Sequence, residues 1–273
     1  MSFSMILGYV FFAVLIAALA AGGVYAWPAW LRLYARTPKA LRRGSSRLTI
    51  PALACCAVAA ALLLALLTAA AHRHPGPFQL DAAASAMAAW LQLKPFPAVF
   101  AAITHMANGS TLLAVAVVGV LLIAALARQV VLWPFMMTVL GSQITTWLLK
   151  YWVARPRPDL SEVAPLLMVV SPSFPSAHAA GSLSVYGFLG LLALWELSSA
   201  RVRVMAGYWL LVFLALIGAS RVYVGVHFAT DVLGGWLTGV VWLCLGTAAQ
   251  VYARRKPEGR EDGPPEEQIV ECE

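Results

Sequence analysis

Charged residues are scarce in this sequence of 273 residues. Only 11% of them are Asp, Glu, Lys or Arg, whereas a typical soluble domain has about 25%. Hydrophobic residues make up 61% of the chain, and its mean hydropathy is +0.79. One soluble core of this length cannot bury so much apolar surface, so a soluble protein is excluded. We predict an integral membrane protein built from helices.

Cysteines are also few, and no two of them form a CxxC pair. Neither a disulfide framework nor a cysteine-based zinc site is therefore indicated. We interpret the cysteines as small apolar side chains. The four positions are Cys55, Cys56, Cys244 and Cys272.

Long apolar runs, by contrast, are abundant. A helix needs about 20 apolar residues to cross a bilayer, and seven stretches approach or exceed that length. Asn108 and Gly109 interrupt the third stretch, where we predict a break, with residues 110–127 as the principal run. The seven candidate spans are residues 5–27, 48–71, 98–127, 130–149, 179–197, 205–220 and 228–252.

Two segments differ from these spans in composition. Between the second and third spans, Asp81 is predicted to be the N-cap of a short helix lying on the membrane, where Trp90 and Phe96 suit the interface between lipid and water. The tail from Arg254 is charged and rich in proline and glycine, which is typical of disorder. We divide the chain into an N-terminal part with spans, a basic loop and the interfacial helix (1–97), a helical core (98–253) and a disordered tail (254–273).

The net charge of +7 reflects an uneven distribution of basic residues. If the seven spans alternate, 13 of the 19 lysines and arginines fall on the side of the loop 28–47. The positive-inside rule places that side and the C-terminus in the cytoplasm, with the N-terminus outside. The basic cluster follows the first span, which predicts an uncleaved anchor and not a cleaved signal peptide. Because the excess charge serves topology, we expect no nucleic-acid partner.

Polar residues suited to chemistry gather in three clusters, each at the end of a span. They are KYWVARPRPD from Lys150, SFPSAH at residues 173–178, and SRVYVGVHFATD, which contains Arg221, His227 and Asp231. In the seven-span topology all three clusters fall on the outer face. Three separate placements on one face indicate a site at the membrane surface.

The basic residues of the three clusters predict a phosphate site. Lys150, Arg157 and Arg221 would form a strongly positive patch, and charges near a membrane are costly unless they serve a function. Arginine binds phosphate oxygens in pairs, and lysine adds a point charge. Ser176 contributes a hydroxyl, and the backbone amides after Pro175, where we expect a helix to begin, add donors. The clusters hold no set of carboxylates and histidines suited to a metal, so we expect neither a metal nor another cofactor.

The histidines predict covalent catalysis on phosphorus. His227 and Asp231 are four residues apart, so they share one face of a helix. The aspartate can hold one imidazole nitrogen protonated and leave the other free to attack phosphorus. His178 comes from another segment and can protonate the leaving oxygen as a general acid. The arginines would stabilise charge on the transferring phosphoryl group.

Together these residues resemble the three-part signature of the type 2 phosphatidic acid phosphatase superfamily, the membrane lipid phosphate phosphatases. The resemblance covers roughly residues 100–250 and keeps the order of the motifs. Ala177 stands where the family usually has glycine, but its backbone amide is still available, so we expect phosphate binding to be kept. The matching positions are Lys150, Arg157, Pro158, Pro175, Ser176, His178, Ser220, Arg221, His227 and Asp231.

The resemblance implies a fold and a role for each residue. The fold is an all-α, polytopic transmembrane bundle with the family's six-helix core and one additional N-terminal span. The implied reaction is independent of metal and passes through a phosphohistidine on His227, oriented by Asp231, with His178 as acid and then as base. The implied phosphate-binding residues are Lys150, Arg157, Ser176, Ala177 and Arg221.

We therefore expect a membrane phosphatase acting on undecaprenyl pyrophosphate first, and on phosphatidylglycerol phosphate or phosphatidic acid second. Its site would face the periplasm or exterior of the inner membrane. A lipid A phosphatase or a lipid phosphotransferase could use the same site, and a lipid phosphate transporter or flippase would need only the arginines. We interpret Arg155 as a loop charge, and His105 and Asn108 as structural.

Overall fold

The computed structural model describes residues 46–92, 97–126, 128–158 and 171–254. Regular structure in these ranges is helical throughout, which confirms the predicted all-α, polytopic bundle. One π-helical turn, Leu183–Gly187, joins α6 to α7. The helices are α1 (Ser46–Arg73), α2 (Gln79–Gln92), α3 (Pro97–His105), α4 (Gly109–Ala125), α5 (Gln129–Val153), α6 (Ala177–Ser182), α7 (Phe188–Glu196), α8 (Ala200–Tyr223) and α9 (Ala229–Ala253).

Most of the predicted spans in these ranges are helices long and apolar enough to cross a membrane. They are α1 from Thr49, α6 and α7 as one helix, α8, and α9. Helices α3 and α4 make a fifth candidate span if the pair, bent by 50°, is counted as one, and the bend falls at the predicted break near Asn108. Helix α5 has 25 residues but is less hydrophobic, because threonine, serine and glutamine recur along it. The predicted first span, the basic loop and the tail lie outside the described residues.

The outer surface of the bundle is apolar, whereas much of its interior is polar. Leu66, Leu121 and Trp133 are 70%, 62% and 68% exposed, while Thr138 and Ser142 are fully buried. This distribution is the reverse of that in a soluble protein, and it suits a bundle whose outer surface is covered by lipid.

Helix α9 lies at the centre of the bundle and packs against α1, α5 and α6. Glycines on its buried face allow this close approach. A Cβ at Gly235 would lie 2.4 Å from the backbone oxygen of Ser176, and a Cβ at Gly246 would lie 1.8 Å from Thr138 Oγ1. The small residues of α9 therefore bring the polar loop before α6 directly against the start of α9.

Two predicted helix starts are wrong by two or three residues. Helix α6 begins at Ala177 with Ser176 as its N-cap, and not at Pro175. Asp81 is not the N-cap of α2 but lies inside its first turn. Its carboxylate accepts a hydrogen bond from the backbone N–H of Phe78 at 3.0 Å. Asp81 is also fully buried, because α2 packs against α8 and α9.

Candidate active site

The three polar clusters meet around the loop that precedes α6. Lys150, in the last turn of α5, donates to the backbone oxygens of Pro172 at 2.5 Å and Ser173 at 3.4 Å. The backbone N–H of Ser176 donates to the backbone oxygen of Asp231 at 2.9 Å. The first cluster and the third cluster therefore hold the second between them.

Arg157 connects the loop before α6 with the segment before α9. Its Nε donates to the backbone oxygen of Ser171 at 2.9 Å, and its Nη2 lies 3.2 Å from the Ser171 hydroxyl. Its Nη1 donates to the backbone oxygen of Val226 at 2.6 Å and lies 3.4 Å from His227 Nε2. Arg157 therefore places a guanidinium in direct contact with the imidazole.

His227 lies between this arginine and a carboxylate. Its Nδ1 is 3.5 Å from Asp231 Oδ2, and only 3% of the side chain is exposed. This separation is longer than an ordinary N–H···O hydrogen bond, which reaches about 3.2 Å, so the contact is an electrostatic one. Because arginine can only donate, its contact with Nε2 requires the lone pair to be on that nitrogen. The proton of the neutral ring is therefore on Nδ1, towards Asp231.

Burial keeps His227 neutral. Removal from water lowers the pKa of His227 from 6.5 to about 4, Asp231 opposes this shift, and Arg157 and Lys150 add to it. At neutral pH the imidazole therefore carries a free lone pair on Nε2, which is what nucleophilic attack requires.

His178 belongs to the second cluster, SFPSAH, and its side chain contacts Asn108. Its Nε2 lies 3.0 Å from Asn108 Oδ1, and the amide nitrogen of Asn108 lies 2.7 Å from His105 Nδ1. Arg221, His227, Arg157 and Lys150 are all close enough to act on His178 electrostatically. The sequence predicts a structural role for Asn108, whereas the structure places it directly against a predicted catalytic histidine.

Besides His227 Nδ1, two buried donors of the predicted site residues have no hydrogen-bond partner among the described residues. They are the Ser176 hydroxyl and Arg221 Nε. The other end of Arg221 is fixed, since its Nη1 donates to Thr104 Oγ1 at 2.5 Å. Buried polar atoms are normally paired, so these donors suit an anion with several oxygens. Ala177, the first residue of α6, follows Ser176 directly.

An apolar cavity of about 240 Å³ lies one helical turn from Thr104, the hydrogen-bond partner of Arg221. It is bounded by α2, α3 and α8, and its polar surface is almost nil. Arg221 is not one of its lining residues, but its partner Thr104 lies one helical turn after the lining residue Phe100. The lining residues are Ala84, Met87, Ala88, Leu91, Phe100, Ala219, Val222 and Tyr223.

Arg155 and Asp81 are the residues that sequence reasoning placed wrongly. Arg155 is not a loop charge but a fully buried side chain that bridges Asp81 and Asp231. No local pattern signals this contact, because Asp81 precedes Arg155 by 74 residues. In the described part of the chain, no group of three or more His, Cys, Asp or Glu residues is placed to hold a metal ion.

Comparisons with known proteins agree with this geometry. A sequence model of the PAP2 superfamily matches residues 131–255. Phosphatidylglycerophosphatase B of Bacillus subtilis (strain 168) is 34% identical over 193 residues, which are 67% of this chain and 90% of that protein. The crystal structure of a transmembrane PAP2 type phosphatidylglycerolphosphate phosphatase from Bacillus subtilis matches with a TM-score of 0.62 and 28% identity, over 75% of this chain and 99% of that one.

The chain belongs to the PAP2 superfamily. It is a multi-pass membrane protein and a hydrolase of lipid phosphates. The family resemblance drawn from the three motifs is thereby confirmed.

Proposed function

We propose that this protein removes the terminal phosphate of phosphatidylglycerol phosphate through a phosphohistidine on His227. The observation that carries the mechanism is the position of the buried His227 imidazole, with Nε2 3.4 Å from Arg157 and Nδ1 3.5 Å from Asp231. The name of the Bacillus subtilis relative supports the substrate. Undecaprenyl pyrophosphate, the first expectation from the sequence, becomes the competing substrate together with phosphatidic acid.

The phosphate would be held by the basic residues and by donors around the loop before α6. Its negative charge would lie among Lys150, Arg157 and Arg221, where it relieves their mutual repulsion. The Ser176 hydroxyl and the backbone N–H of Ala177 would complete the binding site. Such fixed donors stabilise the transferring phosphoryl group in the transition state more than in the ground state.

The reaction would proceed in two displacements. His227 Nε2 attacks phosphorus, the bond from phosphorus to the lipid oxygen breaks, and His178 gives its proton to that oxygen. His178 then takes a proton from a water molecule, whose oxygen attacks the phosphohistidine. The phosphorus–nitrogen bond breaks, which releases inorganic phosphate and returns His227 to its neutral form.

The apolar cavity bounded by α2, α3 and α8 would receive part of a hydrocarbon chain of the lipid. Arg221 is linked to the cavity through α3, because its Nη1 donates to Thr104, which lies one helical turn after the lining residue Phe100. A headgroup phosphate on Arg221 would thus lie about one helical turn from the cavity. This arrangement favours a lipid over a water-soluble phosphate ester.

Phosphate release from a panel of lipids, measured on the purified full chain in detergent, tests the proposal. The panel contains phosphatidylglycerol phosphate, phosphatidic acid and undecaprenyl pyrophosphate, each with and without EDTA. We expect the highest kcat/KM for the first lipid, no effect of EDTA, and no turnover by His227→Gln. Preference for undecaprenyl pyrophosphate would overturn the choice of substrate, and turnover by His227→Gln would overturn the mechanism.

We also propose that the site faces the periplasm or exterior and that the C-terminus is cytoplasmic, as the distribution of basic residues predicts. A reporter fused at the C-terminus should then be active only in the cytoplasm, and one inserted near residue 165 only outside. The opposite result would place the site on the inner leaflet.

A further inference from the structure

We propose that Arg155 and Asp81 are positioning residues, which fix the carboxylate of Asp231 and thereby aim His227 at phosphorus. Both residues are fully buried, and neither belongs to the phosphate-binding set described above. The proposal rests on the proposed role of His227 as the nucleophile. It adds two residues that contact neither the substrate nor the reacting atoms.

Arg155 directs all of its donors into the protein. A guanidinium has five N–H donors, and Arg155 makes five hydrogen bonds. Two run to backbone oxygens of residues 75–76, at 3.1 and 2.8 Å. The others reach Thr230 Oγ1 at 2.7 Å, Asp231 Oδ1 at 2.7 Å and Asp81 Oδ2 at 2.8 Å. No donor is left for a phosphate.

Both carboxylate oxygens of Asp81 likewise accept hydrogen bonds from within the protein. Its Oδ1 accepts from the backbone N–H of Thr230 at 2.8 Å. Its Oδ2 accepts from the Thr230 hydroxyl at 2.9 Å and from Arg155 at 2.8 Å. Asp81 and Arg155 therefore hold two consecutive residues at the start of α9, Thr230 and Asp231, by hydrogen bonds. Removing one member would leave a buried charge without its partner, which is costly.

These hydrogen bonds determine which carboxylate oxygen of Asp231 faces the imidazole of His227. Arg155 occupies Oδ1 of Asp231 at 2.7 Å. The other oxygen, Oδ2, accepts from the backbone N–H of Phe228 at 2.8 Å and faces His227 Nδ1 at 3.5 Å. A carboxylate with both oxygens fixed cannot rotate, so it presents one acceptor to Nδ1 and keeps the lone pair on Nε2.

The two arginines of the RPRP sequence, Arg155 and Arg157, thus have different roles: the first positions Asp231, and the second would bind phosphate. Arg157 contacts the imidazole and is only partly buried. Arg155 is fully buried, and its guanidinium lies 4.3 Å from the centre of the Phe228 ring. A flat, five-donor cation fits this place, whereas lysine supplies only three donors from one nitrogen.

The test compares Asp81→Asn and Arg155→Lys with Asp231→Asn, alone and combined, in the full chain. Steady-state kinetics and the single-turnover rate of phosphohistidine formation are measured on samples whose folded fraction is determined in the same detergent. We expect each single variant to lower kcat by about 10- to 100-fold, with KM within about 3-fold, because the phosphate-binding residues remain. The matched control is Arg128→Met, which removes the exposed ion pair with Glu196, and it should keep full activity.

The decisive measurement is the combination with Asp231→Asn. If Arg155 acts through Asp231, then Arg155→Lys adds less than about 3-fold to the loss already caused by Asp231→Asn. Three results would each overturn the proposal. The activity losses of Arg155→Lys and Asp231→Asn could multiply in the double variant, KM could rise at unchanged kcat, or the loss of activity could simply follow the folded fraction. Activity in His227→Gln would instead overturn the proposed function on which it rests.

Discussion

Arg157 Nη1 lies 3.4 Å from His227 Nε2, on the side of the ring opposite Asp231. An arginine cannot accept a proton, so this contact specifies the same imidazole tautomer as the carboxylate does. The nucleophilic nitrogen and a phosphate-binding cation are thus neighbours before any substrate arrives. Preorganisation of this kind is the main way in which an enzyme stabilises a phosphoryl transition state.

The pH dependence of activity should reflect the low pKa of His227. Burial lowers the pKa of His227 from 6.5 to about 4, so the nucleophile is neutral over the whole range above that value. We expect no loss of the neutral nucleophile between pH 7 and 5, and an acid limb near pH 4. Because the folded-state value lies below the ordinary one, the associated stability is complete above pH 6.5 and is lost as the pH falls towards 4.

The measurement is NMR titration of ¹⁵N-labelled histidine in the free protein, with the His227→Gln spectrum for assignment. This avoids the ionisation of the substrate, since a phosphate monoester also titrates, near pH 6. A midpoint for His227 at or above 6.5 would contradict the prediction.

Asn108 should matter for proton transfer and not for phosphate binding. Asn108→Ala removes the partner of His178 Nε2, so we expect kcat to fall by about 10- to 100-fold with little change in KM. Tyr186→Phe is the matched control, because the Tyr186 hydroxyl bonds Met106 at the same bend without touching His178. Equal losses in both variants would mean that the bend, and not the contact with His178, is what matters.

Gly235 should tolerate no larger residue. A Cβ there would lie 2.4 Å from the Ser176 backbone oxygen, whereas a Cβ at Gly207 would meet only Leu194 at 3.7 Å. We expect Gly235→Ala to lower the free energy of unfolding by about 1–3 kcal/mol and to impair activity. Gly207→Ala should stabilise its helix by up to about 1 kcal/mol. Unfolding in detergent measures both, and similar effects at the two sites would refute this account of the packing.

The apolar cavity bounded by α2, α3 and α8 should influence which lipids are accepted. Ala84 lines the cavity, so Ala84→Leu should lower kcat/KM for long-chain phosphatidylglycerol phosphate and leave a short-chain, water-soluble phosphate ester unaffected. Ala86 lies two residues away on the same helix and does not line the cavity, so Ala86→Leu serves as the control. A parallel loss for both substrates would show that the substitution disturbs the catalytic groups and not the hydrocarbon chain.

Much of this architecture is visible in the sequence because it is local. A run of apolar residues predicts a span whatever its neighbours are, and the polar interruption at Asn108 and Gly109 predicts the bend between α3 and α4. His227 and Asp231 share a face through their spacing alone. The alternation of spans then places three distant clusters on one side of the membrane, and the structure brings their residues together.

The sequence by itself thus determined the class of protein, the family and the eight candidate site residues. Only the tertiary structure showed that Arg155 is buried between two carboxylates and is not a loop charge, because its partners lie on helices that are remote in the chain. The same packing made Asp81 a buried partner of the site, although a helix cap is the ordinary interpretation of an aspartate before an apolar helix. Hydropathy and residue spacing predict structure only over a few helical turns. A buried charge is stabilised by a partner that can be remote in the chain, so only the fold identifies that partner.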